Sequence, residues 1–161
     1  MTDSLLPKRL LPLLSIGLLA VSLIFAVLWL PELLKPSAAQ NLILTTDNNC
    51  SIKESACTAR SGKHSVTLRV APREIKSAIP LDFQVQLEGI DASAISLNLE
   101  GRDMFMGINQ VALQPTPNQE GHWQGVNELG ACTTGEMVWR ARLNIQTKKD
   151  TFEAHFDFSA R

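Results

Sequence analysis

The chain lacks most of the features that disclose a function at sight. It carries three cysteines in 161 residues, too few for a scaffold built on disulfides, and their spacing is not that of a zinc site. No Lys/Arg cluster is present. Fifteen basic residues stand against 16 acidic ones, for a net charge of −1, without the concentrated positive footprint that nucleic-acid binding requires. There is no Gly-x-Ser-x-Gly elbow, no His-Glu-x-x-His, no phosphate-cradling glycine loop and no Cys-x-x-Cys. The carboxylates are scattered, and none are paired in an apolar setting as acid–base catalysis would demand. The expectation is therefore a protein that is not an enzyme. Wholesale disorder is excluded too, because 45% of the residues are hydrophobic and only 19% are charged.

Charge is also missing locally. From Leu10 to Pro31 the sequence LLPLLSIGLLAVSLIFAVLWLP holds no Asp, Glu, Lys or Arg. As a helix, Leu10–Leu30 would run roughly 31 Å, the thickness of a bilayer's hydrocarbon core. Pro12 and Pro31 stand where a helix tolerates proline, and Trp29 stands where an interfacial aromatic belongs. Lys8 and Arg9 precede the run, whereas Glu32 and Lys35 after it cancel. The positive-inside rule then places the N-terminus in the cytoplasm and the remainder in the periplasm or another extracytoplasmic space. Cleavage at Ser37-Ala38-Ala39 is the rival reading, but the run exceeds the usual 7–15 residues of a signal peptide's apolar region. The expected organisation is a cytoplasmic N-terminus over 1–9, an inner-membrane helix over 10–30, a tether over 31–49 and an exported domain over 50–161.

Beyond the tether, apolar residues alternate with period two, the mark of half-buried strands. The alternating sets are Val66/Leu68/Val70, Leu81/Phe83/Val85/Leu87, Ile95/Leu97/Leu99, Met104/Met106/Ile108 and Val111/Leu113. His122-Trp123-Gln124, Met137/Trp139/Ala141/Leu143/Ile145 and Phe152/Ala154/Phe156/Phe158 follow. Turn residues separate them, among them Gly89-Ile90-Asp91, Pro115-Thr116-Pro117-Asn118 and Lys148-Lys149-Asp150. About seven short strands with no helical stretch between them predict an all-β, Ig-like antiparallel sandwich behind the transmembrane helix.

Within this pattern Gly101-Arg102-Asp103-Met104-Phe105-Met106-Gly107 precedes Gly121-His122-Trp123, Cys132, Gly135 and Met137-Val138-Trp139. That succession resembles the small exported FixH-like and YtkA-like domains, in layout over residues 64–158 and in motif over 101–139. The resemblance implies an Ig-like fold, a part in copper supply and the assembly of haem-copper oxidases, and a respiratory oxidase subunit or copper chaperone as partner beside the bilayer. The segment holding Cys50 and Cys57 has no counterpart in that pattern.

The residues themselves leave the metal question open. Thioethers are soft and uncharged and suit Cu(I). Met104 and Met106, two apart on a strand, would share a face with Cα atoms about 6.5–7 Å apart. His122, Cys132 and Met137 could complete the site, although Met137 shares its phase with Trp139 and Leu143 and fits a core. An i, i+2 methionine pair is equally what a buried strand face looks like. His155 has the outward phase of its strand, and His64 stands at a strand's start. In an oxidising space two of the cysteines should pair. Cys50–Cys57 would close about 8 residues and stabilise by roughly 2.5 kcal/mol, whereas Cys57–Cys132 would close about 76 and contribute roughly 4.5 kcal/mol. Chain proximity favours the local pair. Two functions follow as expectations: a membrane-anchored domain handling Cu(I) through Met104, Met106, His122 and Cys132, or a metal-free interaction and assembly module.

Overall fold

Alternation carries directly into structure over most of the chain. In the computed structural model, which describes residues 17–28, 41–47, 49–131 and 135–161, the chain divides into two units, Met1–Ala38 and Ala39–Arg161. The first contributes one described helix, over 17–28. The second holds nine strands among its described residues: β1 Asn41–Thr46, β2 Cys57–Ser61, β3 His64–Ala71, β4 Pro80–Glu88, β5 Ala94–Gly101, β6 Gln110–Pro115, β7 His122–Glu128, β8 Met137–Gln146 and β9 Thr151–Ala160.

The described part of this helix covers 12 residues. No helix among the described residues is long and apolar enough to cross a membrane. This corrects the expected single-pass helix and, with it, the inner-membrane and periplasmic placement that rested on it. Residues 10–16 and 29–30 of that expected span, and Ser37-Ala38-Ala39, lie outside the described residues.

The strands follow one another around a closed barrel in the order β1-β2-β3-β4-β7-β6-β5-β8-β9. The expected open sandwich of about seven strands is thereby corrected, and two strands account for the difference. β1 begins in parallel register with β9, Leu42 opposite Phe152 and Leu44 opposite Ala154, then crosses to pair antiparallel with β2 through Thr45 and Thr46. β6 does the same on the other side. Its Val111–Leu113 stretch pairs with β5, and Gln114 and Pro115 pair with Gln124 and Trp123 of β7. Each crossing strand joins two faces that a sandwich would leave apart, so the edges are consumed.

Where β6 meets β7, Leu113 packs closely over a residue without a side chain. A Cβ on Gly125 would stand 2.6 Å from Leu113 Cδ2, so a larger residue there would oblige the Leu113 side chain to shift. Below the crossing, where β6 has left β7, side chains close the seam. Asn127 Nδ2 donates to Asn109 Oδ1 at 2.7 Å, and Asn109 Nδ2 donates to the Glu128 carbonyl at 2.7 Å.

The core fills the barrel from every strand but β7, whose Trp123 is only partly buried against it. Leu68, Phe83, Leu97, Trp139, Leu143 and Phe156 are among its fully buried side chains. Two strands escape the alternation rule. β1 lies inside the stretch read as tether and carries Ile43 exposed between Leu42 and the buried Leu44. β2 faces inward with Cys57 and Ala59, residues too small or too ambiguous to register as an apolar stripe. Cys57 is disulfide-bonded to Cys50, which ties β2 to the segment before it.

Candidate functional site

Met104, Met106 and Ile108 are not on a strand. They belong to the loop that joins β5 to β6, residues 102–109. Phe105 between them is as apolar as they are, and Gly107 has a positive φ of 84°, so no pleated alternation forms there.

The loop is held at several points. At its base the Leu99 N–H donates to the Asn109 carbonyl at 2.8 Å, and the Arg102 N–H donates to the Val138 carbonyl at 2.9 Å. The chain then folds back over Gly101. A Cβ at Gly101 would lie 2.6 Å from the Met104 carbonyl oxygen, 2.6 Å from Met137 Cε and 2.9 Å from Met106 Cγ. Glycine is thus required for the return. Met106 is half-buried and packs against the core, with its Cε near Gly130. Asn109 closes the far end through the bonds to β7 already described.

What these fixings leave outside is an apolar tip. Met104 is 46% exposed, Phe105 85% and Ile108 89%. Between the tip and the outward faces of β5 and β8 runs a groove of about 520 Å³, lined on the sheet side by Asn98, Glu100 and Arg142. Large apolar side chains held in water this way, next to one another, mark surfaces meant for a partner.

Charged pairs lie in the groove and beside it, Glu100, Arg102 and Arg142 being among its lining. Asp157 accepts from Arg140 Nε at 2.8 Å and Nη2 at 3.0 Å, and from Arg102 Nη1 at 2.9 Å. The hydrogen bond from Arg140 holds the Asp157 carboxyl below the usual carboxylate range, partial burial opposing it. The same bond pushes the Arg140 guanidinium upward. Arg142 pairs with Glu100, and that bond likewise raises the Arg142 guanidinium. Arg102 therefore binds the loop to β9 through its side chain as well as to β8 through its backbone. Asp103, beside it, has no ion-pair partner among the described residues.

Of the residues expected to share a metal, Met104, Met106 and Met137 lie near one another about Gly101, and His122 stands apart from them. His122 opens β7 and sits past the end of β6, since Pro115 pairs with Trp123. Met104 and Met106 precede the other end of that six-residue strand, which at ~3.3 Å per residue is roughly 17 Å away or more. His122 Nδ1 instead lies 3.0 Å from the Glu120 carbonyl. Met137 is a buried core residue beside Met106. Cys132 lies outside the described residues. Among the described residues no three or more His, Cys, Asp or Glu side chains gather where they could hold a metal ion. These findings correct the copper-binding expectation. Of the other histidines, His64 Nδ1 is 2.7 Å from the Gly89 carbonyl with its ring against Phe152, and His155 pairs with Glu153.

Reading the sequence as strands missed Phe105 and Ile108, the most exposed large apolar residues of the barrel. The signal that could have found them was present in Met-Phe-Met-Gly-Ile: four apolar residues around a glycine do not alternate. Compared with protein-family models, curated proteins and solved structures, the chain matches none.

Proposed function

We propose that the barrel is a non-catalytic interaction module that docks a partner protein through the tip of the β5–β6 loop. The observation that carries this reading is the exposure of Phe105 and Ile108, at 85% and 89%, on a loop whose two ends and middle are anchored. Because the loop is already fixed, burying the tip costs little further conformational entropy, and the apolar area removed from water becomes affinity. Phe105 is the kind of residue that anchors an interface by filling a pocket. The partner surface that fits is an apolar cleft bordered by a Lys or Arg, which would meet Asp103.

Site-specific photo-crosslinking in the full chain tests this. A photoreactive residue at position 105 is expected to give one discrete adduct, identifiable by mass spectrometry, and the same residue at Lys148 none. Adding Ile108→Asp should abolish the adduct, and Asp103→Lys should weaken it. An adduct indifferent to both changes, or none specific to position 105, rules the reading out.

A further inference from the structure

We propose a second binding site, for an acidic oligosaccharide, on the outward face of β3, β4 and β7. It lies by the β6–β7 turn, at the opposite end of β6 from the β5–β6 loop. Pairing register sets out two rows of polar side chains there. Thr67, Gln86 and His122 stand side by side across the three strands, and Arg69, Gln84 and Gln124 form the next row. Neighbours within a row are about 4.8 Å apart and the rows about 6.6 Å apart, a grid on the scale of the hydroxyls around a sugar ring. These side chains line a groove of about 450 Å³, and Thr116 and Gln119 of the β6–β7 turn form one wall.

The chemistry of the lining selects the ligand. Each amide offers two N–H donors and an acceptor, and the side-chain amides of Gln86, Gln119 and Gln124 have no hydrogen-bond partner among the described residues. Gln84 gives one N–H to Asp82, and His122 turns only Nδ1 to the Glu120 carbonyl. An array of uncharged groups that both donate and accept is matched by a ligand that does the same, which is a polyhydroxylated ring. Trp123, between His122 and Gln124, has the inward phase, pairs with buried Val85 and packs against the core beneath the groove. Among the described residues no carboxylate lines this groove, the acidic Asp91 and Glu120 belonging to an adjoining cleft of about 900 Å³, and Arg69 has no ion-pair partner among the described residues. A sugar unit carrying a carboxylate therefore fits better than a neutral one.

The test is retention of the full chain on an array of uronate-bearing, sialate-bearing and neutral oligosaccharides, followed by calorimetric titration with the best acidic member. Retention by acidic members is expected. Gln86→Ala with Gln124→Ala should weaken it by about tenfold or more, the loss of one to two hydrogen bonds. Arg69→Gln should remove the preference for acidic over neutral members. These three exposed substitutions should leave the circular dichroism spectrum unchanged, and Phe105→Ser with Ile108→Ser should leave retention intact. No retention, retention confined to neutral members, or retention indifferent to the groove variants overturns the proposal.

Discussion

At Gly101 the missing side chain decides where the β5–β6 loop goes. The Met104 carbonyl and the side chains of Met106 and Met137 occupy the space that a Cβ would need. Gly101→Ala is therefore expected to push the loop off the barrel, at a cost of about 1–3 kcal/mol typical of overpacking, and to weaken crosslinking from position 105. Thermal melts and the crosslink read the two effects separately. Asp157 acts on the same loop from beneath. Its carboxyl is held below its usual range by Arg140, so its contribution to stability is present in full above the ordinary Asp pKa of about 3.9 and is lost as pH falls through the lower folded value. With the carboxylate a third exposed, solvent screening limits that contribution to about 1 kcal/mol. Asp157→Asn should lower stability by this amount at pH 7 and by progressively less as the pH is taken below 4. Equal losses at pH 7 and pH 2 would show that the ion pair is not the cause.

Among the elements, the sequence announced those whose inward residues are large and evenly spaced. β3, β4, β5, β8 and β9 alternate Val, Leu, Ile and Phe against polar residues, and those residues form the core. β2 escaped because Cys57 and Ala59 fill its inward positions, and β1 because its apolar residues are contiguous. The β5–β6 loop misled for the opposite reason. Met104, Met106 and Ile108 have the spacing of a strand, yet the chain there turns back over Gly101 instead of pairing. That a tip of apolar residues faces water is a tertiary fact with no local periodic signature. The disulfide belongs at this scale as well. Cys50–Cys57 is the local pairing of the two that proximity and entropy weighed against each other. Replacing both cysteines by serine should destabilise the barrel by about 2.5 kcal/mol, as expected for a closed loop of about 8 residues. Denaturant unfolding would read this, and a loss near zero would mean that β2 is held by its pairing alone.

For the whole molecule, all-β character was legible and closure was not. Closure requires β1 to lie parallel to β9 across the length of the domain, and β6 to change partners halfway, and neither event leaves a mark within a window of neighbouring residues. Gly125 and Asn109 are the local traces of the β6 crossing, and they make sense only once it is known. A chain lacking residues 1–46 would expose the edges of β2 and β9 and should self-associate through them. A monomer of unchanged stability on gel filtration and melting would contradict the role given to β1. The apolar run over Leu10–Leu30 is the plainest feature of the sequence, and among the described residues no helix is long and apolar enough to cross a membrane.

On the proposed reading, Phe105 and Ile108 serve a partner and do nothing for the fold. The most direct measurement is the unfolding free energy of the full chain carrying Phe105→Ser and Ile108→Ser, compared with the unaltered chain. Stability unchanged within about 0.5 kcal/mol is the predicted result, since substitutions at exposed sites remove no buried surface. A loss of about 2 kcal/mol or more would place both side chains in the protein's own core and contradict the account.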